Sequence, residues 1–392
     1  MCPEPSDVAA ESPSSAVPPE AAGGKEALAH SHIAELDGFR AIAILWVFLL
    51  HMFYGWGPRP PQGFTLLPGP FIQIASHGWL GVDLFFILSG FLITGILLDS
   101  REKPNYFRNF YARRVLRIVP LYFTCIAIMA IFYRGFHQYF LLSLVFFANF
   151  ARLFDIRIPG GPSSYWSLAI EEHFYLLWPL LVRFLNRSYL FALTLIIVFG
   201  TPILRGVAAY KGVDPNHAIY FYSWFRFDGL ALGAILAMWM RSPYFDRKWA
   251  WKLAGFLLGF SLAATIIGLP FGIMGTRTPV AAALRYTQMQ FVFAAFMALA
   301  LAYRGTKYTT LLRTRFTKTI AGLSYCIYLI HEPIGDGYYA ILHRTGFSDV
   351  AHFGYEGTVA VRFFVIASLS FVIASLSKKY LEDPMLRLKR YF

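Results

Sequence analysis

Residues 36–51 read LDGFRAIAILWVFLLH, an apolar stretch interrupted by Arg40 and His51. A helix through this stretch would cross most of a bilayer, and ionisable side chains buried there are costly and usually functional. At about 1.5 Å and 100° per residue, their spacing returns both side chains to one helix face, about 16 Å apart along the axis. The stretch therefore predicts a membrane-spanning helix with one polar stripe.

The composition of the chain indicates a polytopic membrane protein. Hydrophobic residues make up 57% of its 392 residues and charged residues only 15%, and several apolar runs approach the 18 to 20 residues that a span requires. We predict an all-α transmembrane helical bundle of about ten spans, with uncertain ends, in the cell membrane. The expected spans lie near residues 36–54, 78–98, 115–133, 166–185, 189–209, 222–240, 251–269, 285–303, 318–341 and 359–377.

The net charge of +13 reflects basic residues in alternate connections between these runs. Cytoplasmic loops of membrane proteins are rich in Lys and Arg, so this alternation predicts that both termini face the cytoplasm. Under this topology Arg40 lies in the inner leaflet and His51 near the outer end of the first helix. The same explanation accounts for the basic surplus without a nucleic-acid partner, and membrane lipids are the expected surroundings.

Two domains are expected. Residues 1–30, rich in Pro, Ala, Ser and Glu, predict a disordered cytoplasmic tail, and residues 31–392 a membrane domain. Cys2, Cys125 and Cys326 are far apart and lack zinc-site spacing, so we expect isolated thiols and no metal.

Two segments between the expected spans are distinctive. YFLLSLVFFANF, residues 139–150, would reach only about 18 Å as a helix, and we predict a re-entrant or interfacial segment. The outer loop at 55–79 is rich in Gly, Pro and aromatic residues. It could cover a site, or be an ordered interfacial loop with an aromatic belt.

Seven motifs, in this order, resemble the acyltransferase-3 family of integral membrane acyltransferases. They are the opening stretch, GWLGVDLFFILSGFLITGILL (78–98), FYARRVLRIVPLYF (110–123), YWSLAIEEHFYLLWP (165–179), FRFDGLALGAIL (225–236), LSYCIYLIHEPI (323–334) and KYLEDPMLRLKR (379–390). The resemblance implies transfer of an acyl group, commonly acetyl, from cytoplasmic acyl-CoA to a hydroxyl of a carbohydrate, lipid-linked glycan or similar acceptor. Acyl-CoA is then a donor substrate, and no cofactor is expected to be bound permanently.

Arg40 and His51 match the Arg and His that the family separates by ten residues. An imidazole suits deprotonation of an acceptor hydroxyl as it attacks a thioester, or brief acyl transport on the ring itself. Arg40 suits stabilisation of negative charge. Under the predicted topology Glu171 and Glu172 lie toward the outer end of the fourth span, where one of them could orient His51. Helix-end stabilisation or a structural ion pair would also explain these two acids.

Arg113, Arg114 and Arg117 lie within about one helical turn at the end of the first cytoplasmic loop. Such a cluster could bind the phosphates of CoA bidentately, although ordinary anchoring by basic loop residues explains many clusters of this kind.

Four further intramembrane residues are candidates for substrate binding: Asp83, Arg226, Asp228 and His331. Arg226 and Asp228 are two residues apart, so we expect them to contact different neighbours. His331 and Glu332 precede Pro333, which could free backbone carbonyls for a second polar cluster. Structural roles are open for all of these residues.

Two other function classes are compatible with buried charges. A transporter would use Arg40, His51, Glu171 and Arg226 as a proton or substrate pathway. A noncatalytic assembly partner would tolerate neutral replacement of these charges. The motif order favours the acyltransferase reading.

Overall fold

The computed structural model describes residues 32–55, 69–347 and 349–392, apart from the side chains of residues 349, 350 and 355. All regular structure in these ranges is helical. The long helices are α1 (Ala34–Tyr54), α2 (Leu80–Ser100), α3 (Tyr106–Phe132), α4 (Tyr165–Phe184), α5 (Arg187–Tyr210), α6 (Phe227–Met240), α7 (Arg247–Gly268), α8 (Pro279–Ala302), α9 (Arg315–Thr345) and α10 (Asp349–Ser377).

Six helices of the described chain are long and apolar enough to cross a membrane. A seventh crossing results if α8 and the short helix Lys307–Arg313, bent by 112° against it, form one span. The structure therefore confirms a multi-pass membrane protein whose described residues form helices and no strands. The count of about ten crossings and the cytoplasmic position of both termini stay predictions. The six helices are α1, α2, α3, α5, α7 with its continuation (Arg247–Phe271), and the part of α10 from Glu356 with its continuation (Glu356–Tyr391).

Helix α2 lies at the centre of the unit Ile33–Phe392 and packs against α1, α4, α6 and α8. Two glycines allow α2 and α6 to approach at backbone distance. A Cβ atom at Gly90 would overlap the backbone carbonyl of Leu230, and one at Gly233 would overlap that of Ile87. Small residues are the usual means by which membrane helices pack so closely.

Helix α1 is held at both ends. In its first turn the Glu35 carboxylate accepts a hydrogen bond from Thr309 Oγ1 (3.0 Å) and pairs with Arg313 Nε (3.3 Å), both on the short helix after α8. Near its last turn the buried Arg362 of α10 donates to the backbone carbonyl of Met52. These contacts, together with packing against α9, fix the helix that contains Arg40 and His51.

The predicted re-entrant segment forms a short helix, His137–Leu144, and a tight helical segment, Ala148–Phe154. Eight helical residues extend about 12 Å, so the first of these is too short to cross a bilayer. The predicted tail at 1–30 lies outside the described residues, as do residues 56–68 of the outer loop.

Replacing Gly90 by alanine should destabilise the protein, because the added methyl group forces α2 and α6 apart. Overpacking of this kind costs about 1 to 3 kcal/mol, which should lower the midpoint of thermal unfolding in detergent. Gly259→Ala in α7 is the matched control, because a Cβ there meets no atom within 4 Å. Equal midpoints for the two variants would contradict the close packing of α2 and α6.

Candidate active site

Three polar side chains from α1 and α9 form a hydrogen-bonded cluster. His51 Nε2 lies 2.8 Å from Glu332 Oε1, and His51 Nδ1 lies 2.9 Å from His331 Nε2. The His331 side chain is completely buried, whereas that of His51 is 22% exposed. The two polar groups that the sequence suggested as separate clusters are therefore one, and His51 is its accessible member.

Glu332 is oriented by the segment that leads into α4. Its Oε2 accepts a hydrogen bond from Ser163 Oγ (3.2 Å) and another from the backbone N–H of Ser164 (3.1 Å). Gly161 permits this approach, because a Cβ there would come within 2.9 Å of the Cα of Pro333. Both carboxylate oxygens of Glu332 are thus held, one by α4's leading segment and one by His51.

His51, His331 and Glu332 each bring one potential metal-ligand atom within 4.8 Å of the others. Each of these atoms already has a hydrogen-bond partner inside the cluster. The arrangement is accounted for as a chain of hydrogen bonds, and the prediction of no metal is unchanged.

The carboxylate partner of His51 differs from the sequence-based expectation. Glu171 and Glu172 were expected to face His51, but the structure pairs His51 with Glu332. Helix α4 begins at Tyr165, so Glu171 and Glu172 lie six and seven residues into it, about 9 to 10 Å from its start. At that depth Glu171 accepts a hydrogen bond from the Tyr175 hydroxyl (3.4 Å). Catalytic roles for the two acids stay predictions.

A cavity of about 310 Å³ lies among α1, α2, α3, α4 and α9. Apolar side chains of α2, among them Leu88, Leu92 and Ile96, form part of its wall. Its polar and charged lining comprises Arg40, Ser89, Arg114, Arg117, Ser167, Glu171, Tyr175, Ser324, Tyr325, Tyr328 and Lys389.

The cations of this cavity come from three separate parts of the chain. Arg40 of α1, Arg114 and Arg117 of α3 and Lys389 near the C-terminus all line it. Of the predicted arginine cluster, Arg113 has a different contact, because it donates to the backbone carbonyl of Phe392 (2.7 Å). Four cationic side chains therefore line the cavity, and one of them, Arg40, lies 3.9 Å from the carboxylate of Asp37.

His51, His331 and Glu332 are called the histidine cluster below. Tyr328, which lines the cavity, is the residue that links the cavity to this cluster. The Tyr328 hydroxyl lies 2.6 Å from Ser167 Oγ and donates to the backbone carbonyl of Ser164 (3.2 Å). The backbone carbonyl of Tyr328 accepts from His331 Nδ1 (2.9 Å). One residue thus lines the cavity and contacts the cluster.

Asp83, Arg226 and Asp228 belong to a different, fully buried network. Arg226 pairs with Asp83 at 3.0 Å, and Asp228 pairs with Arg205 at 2.9 Å. The two residues of the FRFDG motif thus have different partners, as their spacing predicts. Gln290 Nε2 donates to Asp83 (2.7 Å) and to Asp228 (3.4 Å) and so joins the pairs. The four charges sum to zero, which lowers the cost of burying them. Substrate binding by Asp83, Arg226 and Asp228 stays a prediction.

Two buried arginines, Arg205 and Arg362, were not among the residues predicted from the sequence, and Glu332 was given too little weight. Arg205 completes the neutral network, and Arg362 holds the end of α1. Each interrupts an apolar run, the same signal that singled out Arg40. The pairing of Glu332 with His51 depends on the contact between α1 and α9, for which the sequence has no local signal.

Comparison with known proteins supports the family resemblance that the motifs suggested. The peptidoglycan O-acetyltransferase OatA of Listeria monocytogenes is 27% identical over 385 residues, which cover 90% of this chain and 56% of that protein. The O-acetyltransferase OatA of Staphylococcus aureus is 26% identical over 389 residues, with coverage of 90% and 57%. A putative peptidoglycan O-acetyltransferase of Bacillus subtilis, YrhL, is 29% identical over 237 residues, covering 53% of this chain and 33% of that protein.

The chain thus spans a little over half the length of the two OatA relatives. No solved structure matches it. The family model described as an acyltransferase domain, acyltransferase-3, matches residues 33–377, which include all residues of the histidine cluster. This match extends over most of the chain and shows that the protein belongs to the acyltransferase-3 family of acyltransferase domains.

Proposed function

We propose that this protein is an integral membrane O-acyltransferase that moves an acyl group from cytoplasmic acyl-CoA to a carbohydrate hydroxyl. The proposed acyl group is acetyl, which the family commonly transfers. The observation that supports this transfer most strongly is the cavity with cations along its lining and Tyr328 beside the His51 cluster. A thioester donor needs an anion-binding region for its nucleotide and a reactive group near its acyl end. The cavity and the cluster offer both.

The cationic part of the cavity fits the phosphates of CoA. Guanidinium groups bind phosphate through paired, charge-assisted hydrogen bonds, and Arg114 and Arg117 lie one turn of α3 apart. Arg40 and Lys389 add charge from two other parts of the chain. In this proposal the apolar wall of α2 contacts the pantetheine arm.

His51 is the proposed base. General acid-base catalysis by a positioned imidazole contributes about 10² to 10⁴ in rate. His51 lies about 16 Å along α1 from Arg40, so a donor held at Arg40 can extend its thioester toward His51. Tyr328 and Ser167 line the cavity and hydrogen-bond to each other, and the backbone carbonyl of Tyr328 accepts from His331. We infer that the contact between Tyr328 and Ser167 opens when the acyl group enters.

The proposed acceptor follows from the relatives, since OatA of Listeria monocytogenes is named a peptidoglycan O-acetyltransferase and YrhL of Bacillus subtilis a putative one. We infer that it is a hydroxyl of an amino-sugar glycan or of its lipid-linked precursor, met on the outer side of the membrane. The exposed fraction of His51 gives such a hydroxyl access to the cluster.

We also propose that all ten long helices cross the membrane and that both termini face the cytoplasm. Helix α6 has 14 residues and is mostly buried, while α4 and α9 contribute polar residues to the cavity and the cluster. Helices enclosed by others can be short or polar, because their partners replace lipid. The alternation of basic connections supports this topology.

The transporter alternative requires one continuous charged pathway. The structure instead divides its proposed members among three sets of contacts. Arg40 and Glu171 line the cavity, His51 pairs with Glu332, and Arg226 is enclosed in a neutral network. This division favours the acyltransferase.

Purified protein in detergent should transfer radiolabelled acetyl from acetyl-CoA to N-acetylglucosamine oligosaccharides or to isolated membrane glycolipids. His51→Ala should lower the rate about 10²- to 10⁴-fold, provided that size-exclusion chromatography shows equal folding. Transfer that is undiminished in His51→Ala would refute the role of this residue. Absence of transfer to any offered acceptor from acetyl or longer acyl donors would refute the proposed activity.

Arg114→Gln should raise the KM for acetyl-CoA about tenfold or more, because a hydrogen bond to a charged group contributes about 1.5 to 3 kcal/mol. The kcat should change far less, since the nucleotide is remote from the reacting carbonyl. Arg108→Gln is a suitable control: this arginine is in the same helix, but its guanidinium lies over the Phe392 ring, 5.4 Å from its centre. Equal KM values for both variants would contradict donor binding in the cavity.

A further inference from the structure

The hydrogen-bond chain determines how many protons the cluster holds. His331 Nδ1 lies 2.9 Å from the backbone carbonyls of Ile327 and Tyr328, which can only accept, so this nitrogen has the proton. In a neutral His331 the Nε2 atom then carries no proton and can only accept a hydrogen bond. The hydrogen between the rings therefore comes from His51 Nδ1.

The same reasoning applies to the contact between His51 and Glu332. With its proton on Nδ1, a neutral His51 has a bare Nε2, which would face a carboxylate oxygen at 2.8 Å. Two lone pairs repel at this distance, so a further proton must lie between these atoms. The cluster thus holds one proton more than two neutral imidazoles and a carboxylate would hold.

This additional proton constrains catalysis. His51 Nε2 can accept the proton of an acceptor hydroxyl only when the shared proton lies on Glu332. In that state the proton of Glu332 lies on Oε1, because Oε2 already accepts hydrogen bonds from Ser163 Oγ and the Ser164 N–H.

We propose that Glu332 is the proton donor to the departing thiol, an inference that rests on the proposed acyl transfer from a thioester. The acceptor hydroxyl first replaces the Glu332 O–H as the hydrogen-bond donor to the lone pair of His51 Nε2. It then gives its proton to this nitrogen while its oxygen forms a bond to the thioester carbonyl carbon and the carbonyl π electrons move to the carbonyl oxygen. When the tetrahedral intermediate collapses, the carbon–sulfur bond breaks and the sulfur takes the proton of Glu332. His51 Nε2–H then returns a proton to Glu332 Oε1. One proton has moved from the acceptor to the thiol, and the cluster is restored.

This assignment gives the two members of the pair different roles. His51 activates the acceptor, whereas Glu332 serves the leaving group. The need for Glu332 should therefore depend on the thiol. An alkyl thiol such as pantetheine leaves poorly as a thiolate, while an aryl thiol, which is more acidic, leaves without a proton.

Glu332→Gln is the informative variant. Its amide N–H can donate to His51 Nε2 and its carbonyl can accept from the Ser164 N–H, so the cluster keeps its hydrogen bonds but has no transferable proton. Asp336→Asn, one helical turn further along α9, is the matched control. Asp336 accepts a hydrogen bond from the Tyr133 hydroxyl (2.7 Å).

The experiment compares S-acetylpantetheine with the acetyl thioester of 4-mercaptobenzoate as donors, with N-acetylglucosamine oligosaccharides as acceptors. Glu332→Gln should lose at least 100-fold in kcat with the alkyl thioester and less than tenfold with the aryl thioester. Asp336→Asn should stay within about twofold of wild type with both donors.

Equal losses with both donors would overturn the proposal and assign Glu332 a structural or orienting role. Full activity of Glu332→Gln with the alkyl thioester would overturn it as well. If the wild-type protein transferred acetyl from neither thioester nor from acetyl-CoA, the proposed function itself would fail, and this inference with it.

Discussion

Charged groups enclosed in an apolar helix bundle need partners, and this constraint governs the arrangement of the whole molecule. Arg226 and Arg205 are matched by Asp83 and Asp228, so this buried network is electrically neutral. Glu35 and Arg362 hold the two ends of α1. With the helix fixed in this way, His51 reaches its partners on α9. The structural charges thus position the residues to which we assign the chemistry.

The cavity differs from the neutral network because its cations exceed the acids that line it. Arg40, Arg114, Arg117 and Lys389 line it, whereas Glu171 is its one acidic lining residue among the described residues. An unbalanced group of cations favours an anionic ligand, and we assign this role to the phosphates of the acyl donor. The histidine cluster has the opposite character, because its charges are shared within a hydrogen-bond chain. The cationic lining of the cavity is thus assigned to donor binding, and the hydrogen-bonded histidine cluster next to it is assigned to catalysis.

The sequence predicted the helices and their charged residues well, because an ionisable side chain stands out in an apolar run. The shared face of Arg40 and His51 followed from helical periodicity alone. Which of these side chains pair with one another was predicted poorly. The start of α4 was predicted within one residue of Tyr165, but the predicted topology alone placed Glu171 near His51, and Glu332 is distant in sequence from His51. Such a pairing depends on which helices are neighbours, and local periodicity contains no information about that.

The central claim is that donor and acceptor approach the cluster from opposite sides of the membrane. The direct measurement uses liposomes that contain the purified protein and enclosed N-acetylglucosamine oligosaccharides, with radiolabelled acetyl-CoA added outside only. Molecules whose cytoplasmic face points outward should label the enclosed oligosaccharides, while free CoA accumulates outside. Label found only on oligosaccharides supplied on the same side as acetyl-CoA would contradict the account.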